Sequence, residues 1–200
     1  MRVIGLCGQS GAGKGIVCSF FEELNVKCID TDKVYHSIIS TDSPCTKELI
    51  YHFGEQIYKN PGIDRLKLRN IVFESEDNLK KLNEITHRHI LNEVKLEIRK
   101  IKESGTADGI IIDAPLLFES GFNDECDATI AVISDTQTKI KRIIERDGIN
   151  TESAYARIEA QIPDAKLKDL CTYIIENNSD LSNVKNAVLN LKKLIFEKNY

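Results

Sequence analysis

The chain has 200 residues, 42% of them hydrophobic, and 27 Lys and Arg stand against 31 Asp and Glu for a net charge of −4. A chain of this size buries a full core in one domain, with room for a small inserted lobe, so no disulfide framework is needed, and basic residues scattered among acids argue against a nucleic-acid partner. No apolar run approaches the ~20 residues of a membrane span and the chain enters a strand at once without signal-peptide character, so a cytoplasmic protein with no membrane partner is expected.

The first predicted element is the short, apolar, β-prone run RVIGLC, and KGIVCSFFEELN after it has apolar residues at helical spacing. Between them GQSGAGKG, residues 8–15, reads as a phosphate-binding loop in the strand-to-helix context that confirms such a motif. Gly8, Gly11 and Gly13 let the backbone turn with its N–H groups inward, where they and the start of the helix form an anion site. Lys14 then reaches the outer phosphates. The motif normally ends in a Ser or Thr whose hydroxyl binds Mg²⁺, whereas here the residue is Gly15. Gln9 and Ser10 are expected to lend backbone rather than side chains.

Further strands are predicted at about residues 26–29, 109–113, 128–133 and 172–176. Strands alternating with helices give a three-layer α/β/α architecture on a five-stranded parallel sheet, with ligands bound at the carboxyl edge. Asp30 and Asp32 close the second strand. A carboxylate there caps the next helix, or orients or deprotonates an acceptor hydroxyl, or holds Mg²⁺ through water. A helical insertion, about 31–105, follows, and in it DRLKLRNIVFES and residues 77–102 read as helices. After GIIID, Asp113 is a candidate to meet the metal from a neighbouring strand, with a turn role before Pro115 as the competing reading. Leu116, Leu117 and Phe118 are either core or the lining of an acceptor pocket.

The second helical segment, about 135–170, has the position of a lid. Arg142 and Arg146, four residues apart, share a helix face and can clamp a triphosphate, although a solvated face is the ordinary fate of such a pair. Thr151 is the expected N-cap of the following helix. The six cysteines never stand at CxxC spacing and read as reduced thiols, and neither they nor His87 and His89 make a zinc site.

Taken together, GLCGQSGAGKG, IDTDKVYH, GIDRLKLRNIVF, LNEITHRHI, IIIDAPLLFESGF, KRIIERDG, ARIEAQ and YIIENN resemble the dephospho-CoA kinase family in order and spacing over nearly the whole chain. The resemblance implies a P-loop kinase that phosphorylates the ribose 3′-hydroxyl of dephospho-CoA with ATP and Mg²⁺. By the same resemblance Gly11, Ala12, Gly13, Lys14, Gly15 and Ile16 bind ATP, Asp32 is the candidate base, Asp113 supports the metal, and Arg142 and Arg146 belong to the lid. Arg65 and His87 face the acceptor, and Asn177 falls in the region beside adenine; Leu116, from the apolar turn, is the candidate for the acceptor pocket. The chain departs from the family at Gly15 and Ile16, where Ser and Thr are usual, and at Arg88, where Pro is usual and a different helix bend is expected. Alternatives are a kinase of another small nucleotide, and a nucleotide-binding regulator with decayed catalysis. Gly15 favours the regulator, and retention of Lys14, Asp32, Asp113 and both arginines opposes it. The expected state is a monomer or small homo-oligomer.

Overall fold

The run Val3–Cys7 forms β1 with every residue buried, as a strand covered on both faces requires. Around it in one five-stranded sheet lie β2 (Val26–Asp30), β3 (Gly109–Asp113), β4 (Ala128–Ile133) and β5 (Tyr173–Glu176), in the order β2-β3-β1-β4-β5. β1 runs parallel to β3 and to β4, and β4 parallel to β5. The computed structural model describes residues 1–178 and 180–197. They divide into two compact units, Met1–Ile29 with the chain from Ile101 onward, and Asp30–Lys100.

In the first unit, the sheet carries apolar layers on both faces because β residues alternate sides. Ile4 and Leu6 face a cluster made with Val17, Phe20 and Phe21 of α1 (Lys14–Glu23) and Val184 and Val188 of α9 (Leu181–Lys192). Gly5 points the other way, where a Cβ would press on the Leu117 side chain. Leu117 is fully buried and Leu116 is 42% exposed, so the apolar turn after β3 divides between core and surface. Emptying so tight a site as that of Phe21 would cost about 3–5 kcal/mol.

Three helices bridge β4 and β5: α6 (Thr136–Asp147), α7 (Thr151–Glu159) and α8 (Asp164–Leu170). Gly148 ends α6 in the left-handed conformation, where its lack of a Cβ avoids strain. The cap of α7 is Asn150, whose side chain accepts from the Ser153 N–H. Thr151 is instead the first helical residue, which corrects the expectation above: the chain enters the helix one residue earlier, and Asn caps at least as well as Thr.

The second unit holds α2 (Thr31–Ile39), α3 (Pro44–Phe53), α4 (Arg65–Val72) and most of α5 (Glu76–Ser104). Its core is built at helical spacing, with Ile90, Val94 and Ile98 of α5 each buried four residues after the last. Arg88 lies inside α5, which continues through it, and its guanidinium donates to Glu48 at 2.5 and 2.6 Å. Glu48 also meets His89 Nε2 at 2.9 Å, and these two partners, His89 first, hold its carboxyl below the usual range.

Candidate active site

The loop between β1 and α1 is fixed by its glycines. Gly11 and Gly13 have φ of 79° and 95°, values that an L side chain rarely adopts. Space forbids one as well, since a Cβ on Gly11 would stand 2.5 Å from the Lys139 carbonyl oxygen and one on Gly13 would overlap the Asn177 amide. Gly13 is the N-cap residue of α1 and no side chain caps the helix. The N–H groups of Lys14 and Gly15 therefore have no intrahelical acceptor, whereas that of Ile16 turns back to the Gly13 carbonyl at 3.2 Å, and with the helix dipole the first two make an anion site. Lys14 Nζ lies over the loop and donates to the Gly8 carbonyl at 3.3 Å.

Gly15 is helical, and a Cβ built on it meets nothing within 4 Å. The absence of a hydroxyl there is thus a property of this sequence, not of the space around it. Asp113 ends β3 in register with Leu6 of β1, the residue two before the loop. Its Oδ2 accepts from Cys18 Sγ of α1 at 3.7 Å, so the carboxylate sits between the loop strand and the loop helix. The Cys18 thiol is pushed far up, first by its hydrogen bond with Cys28 and then by burial.

Arg142 does not reach outward from α6. Its Nη1 donates to the Gly11 and Ala12 carbonyls at 3.1 and 3.3 Å, and its Nη2 to the backbone oxygen and Oδ1 of Asn177 at 3.1 and 3.3 Å. Asn177 is buried and gives its Nδ2 to the Ala12 carbonyl at 2.8 Å. Both side-chain ends of Asn177 are therefore engaged on the loop and its arginine. Arg146 has different partners: its Nε and Nη2 donate to Asp147 at 2.8 and 2.9 Å, and its side chain is 60% exposed. Arg146, with Arg157 behind it, holds the Asp147 carboxyl down to about 2. Although they share a helix face, the two arginines have different partners.

Gln9 corrects the expectation that its position lends only backbone. Its side chain is buried, donating from Nε2 to the Ile158 carbonyl at 3.1 Å and accepting from Lys139 Nζ at 2.5 Å. Lys139 Nζ also pairs with Asp164 Oδ2 at 2.7 Å, and the Ser10 N–H donates to Gln161 at 2.8 Å. The loop is thus tied to α6, α7 and α8 by side chains that the motif does not specify. The available sequence signal was faint, since Lys139 stands three residues before Arg142 on the same face of α6 but looks like a surface lysine.

The remaining candidates belong to the second unit. Asp30 is the N-cap of α2 and accepts from the Lys33 N–H at 3.0 Å, while Asp32 is exposed in the first turn. Arg65 opens α4 and, with Tyr35, Leu66, Arg69 and Phe73, lines a cavity of about 380 Å³. Arg69 lies over the Phe73 ring at 5.5 Å, and burial raises the Tyr35 hydroxyl pKa, opposed by Arg65. His87 lies half-buried on α5.

The family model for dephospho-CoA kinase matches residues 2–183. A dephospho-CoA kinase of Fusobacterium nucleatum subsp. nucleatum is 41% identical over 185 residues, 92% of this chain and 93% of the relative. Among solved structures, a Thermus thermophilus protein superposes with a TM-score of 0.82 at 23% identity, covering 97% of both chains. A dephospho-CoA kinase from Campylobacter jejuni gives 0.71 at 23% identity, over 98% of this chain and 97% of that one. At such identity the two structures speak to the fold alone.

Proposed function

This chain belongs to the dephospho-CoA kinase family, and on that premise we propose that it transfers the γ-phosphoryl group of ATP to the ribose 3′-hydroxyl of dephospho-CoA, forming CoA. The observation that carries the chemistry is the uncapped start of α1 with Lys14 lying over the loop. Phosphoryl transfer requires little covalent help from a protein, and it depends on positioning and on stabilising charge.

In this reading the loop from Gly11 to Ile16 holds the ATP phosphates, and Lys14 turns from the Gly8 carbonyl onto the β- and γ-phosphates. Arg142 and Asn177 keep the loop in shape behind them. Arg146 is exposed enough to leave Asp147 and neutralise charge as the γ-phosphate moves. Asp32 orients the 3′-hydroxyl or takes its proton, and Arg65, His87 and Leu116 contact the acceptor. The Asp30–Lys100 unit acts as the acceptor-binding lobe and residues 135–170 as the lid. Among the described residues no three His, Cys, Asp or Glu side chains gather as a metal site. Mg²⁺ commonly takes one or two carboxylates and completes its shell with phosphates and water, so Asp113 beside the loop fits as a carboxylate donor. When bound, Mg²⁺ would neutralise charge on the transferring phosphate. The enzyme would work in the cytoplasm as a monomer or small homo-oligomer.

The test is a coupled ADP-release assay with ATP, Mg²⁺ and dephospho-CoA. Turnover with dephospho-CoA and none with AMP or shikimate is the expected result. No turnover with dephospho-CoA, or equal rates on all three, overturns the proposal.

A further inference from the structure

Cys7 is the last residue of β1, immediately before the loop, and Cys171 follows α8 as its C-cap. They are 164 positions apart in sequence, yet their sulfurs lie 3.5 Å from each other. Both are free thiols, Cys7 buried and Cys171 partly exposed. We propose that Cys7 and Cys171 are an oxidisable dithiol, which closes to a disulfide by exchange with a low-molecular-weight disulfide and so switches off nucleotide binding at the adjoining loop.

The chemistry assigns each sulfur a part. The Cys171 thiol is held below its ordinary pKa by a hydrogen bond from Cys7 and, after burial has opposed this, by Thr129. The Cys7 thiol is pushed up by the same hydrogen bond and by burial. Cys171 is therefore the accessible nucleophile and Cys7 the resolving thiol. The Cys171 thiolate attacks one sulfur of the small disulfide RSSR, which releases RS⁻ and leaves Cys171 joined to the second RS group. Cys7 then gives up its proton and attacks the Cys171 sulfur, expelling the second RS⁻. The two cysteines lose two electrons and two protons, and RSSR becomes two RSH. Cys28 Sγ, by contrast, donates to the Cys18 carbonyl at 3.5 Å and Cys18 Sγ to Asp113 Oδ2 at 3.7 Å, so those two thiols are turned to oxygen acceptors.

Bonding requires the Cys7 and Cys171 sulfurs to come closer by roughly 1.5 Å. The residue after Cys7 is Gly8, whose carbonyl receives Lys14 and whose Cα has no room for a Cβ beside the Val132 carbonyl. The pull therefore acts on the point from which the loop hangs, and misplacement by about 1 Å at such a site lowers rate by about a hundredfold.

The experiment treats the reduced full-length protein with glutathione disulfide, then reads intact mass, a peptide map and ATP affinity by equilibrium dialysis. The expected outcome is a loss of two hydrogens, a Cys7–Cys171 cross-linked peptide, and ATP affinity lowered by roughly ten- to a hundredfold, the worth of one lost hydrogen bond to a charged phosphate, and restored by dithiothreitol. Cys171→Ser should keep its ATP affinity in the oxidant, and Cys7→Ala should stop at a glutathione adduct on Cys171. A cross-link between other cysteines, a Cys7–Cys171 link with unchanged ATP affinity, or equal inactivation of Cys171→Ser each overturns the proposal. These readouts need no acceptor, so their failure leaves the kinase reading intact. Conversely, a protein that switches ATP binding but never phosphorylates dephospho-CoA overturns only the kinase reading.

Discussion

Arg142 and Asn177, 35 positions apart, form a clasp behind the phosphate loop: the guanidinium donates to both oxygens of Asn177 while each residue also donates to the Ala12 carbonyl. This separates Arg142 from Arg146 in a way that can be measured. Arg142→Ala removes several charge-assisted hydrogen bonds of roughly 1.5–3 kcal/mol each, so the KM for ATP should rise by about tenfold or more. Arg146→Ala should leave that KM nearly unchanged and lower kcat, by about 10²–10³ if the guanidinium meets the transferring phosphate. Steady-state kinetics on both variants gives the split, and identical profiles would return the two arginines to one task.

Lys14→Ala should abolish turnover with dephospho-CoA and leave the thermal unfolding curve in place, because the ammonium lies over the loop, where it donates to the Gly8 carbonyl. Wild-type turnover in a folded variant removes Lys14 from the mechanism.

Asp32 is exposed in the first turn of α2, and the cap of that helix is Asp30. Asp32→Asn should therefore fold normally while kcat falls by about 10²–10⁴, the usual contribution of general-base assistance. ATP affinity should hold. A matching loss of MgATP binding would make Asp32 a metal-site residue instead.

Gly15→Ser should lower the Mg²⁺ concentration needed for half-maximal rate. The side chain fits, since nothing lies within 4 Å of the new Cβ, and a serine also removes some of the freedom a glycine has in the unfolded chain. A hydrogen bond to a charged group is worth about 1.5–3 kcal/mol, so the shift should be roughly ten- to a hundredfold. Superimposable Mg²⁺ titrations of the two proteins would rule out this account of the substitution.

Lys139→Met should destabilise the fold more than any exposed lysine substitution. Its side chain is 3% exposed, with the ammonium between Gln9 and Asp164, and removing one partner of a buried pair costs about 3–5 kcal/mol. Lys139→Met with Asp164→Leu should recover part of that loss, because no uncompensated charge then remains. Urea unfolding of the single and double variants checks both statements, and a single variant as stable as wild type would show that the pair is solvated.

The five strands, the phosphate loop and the helical insertion were legible in the amino-acid sequence because their signals are local. Apolar runs such as VIGLC and GIIID, glycines at fixed spacing and a lysine at a helix start all act within a few residues. Asn150 replacing Thr151 as cap is an error of the same local kind, one residue wide. The partners of Gln9, Lys139, Arg142 and Cys7 were not legible, because each is satisfied by a residue brought from far along the chain. Lys139 meets Gln9 across 130 positions, and Cys7 meets Cys171 across 164. A lysine in TKIKR carries no mark that it will be buried, and only the packing of α6 and α8 around the loop removed it from water and gave it a charge to face. Sequence thus determined where the glycine-rich loop lies; tertiary structure decided which side chains hold that loop in place, since burial and pairing are properties of neighbours in space.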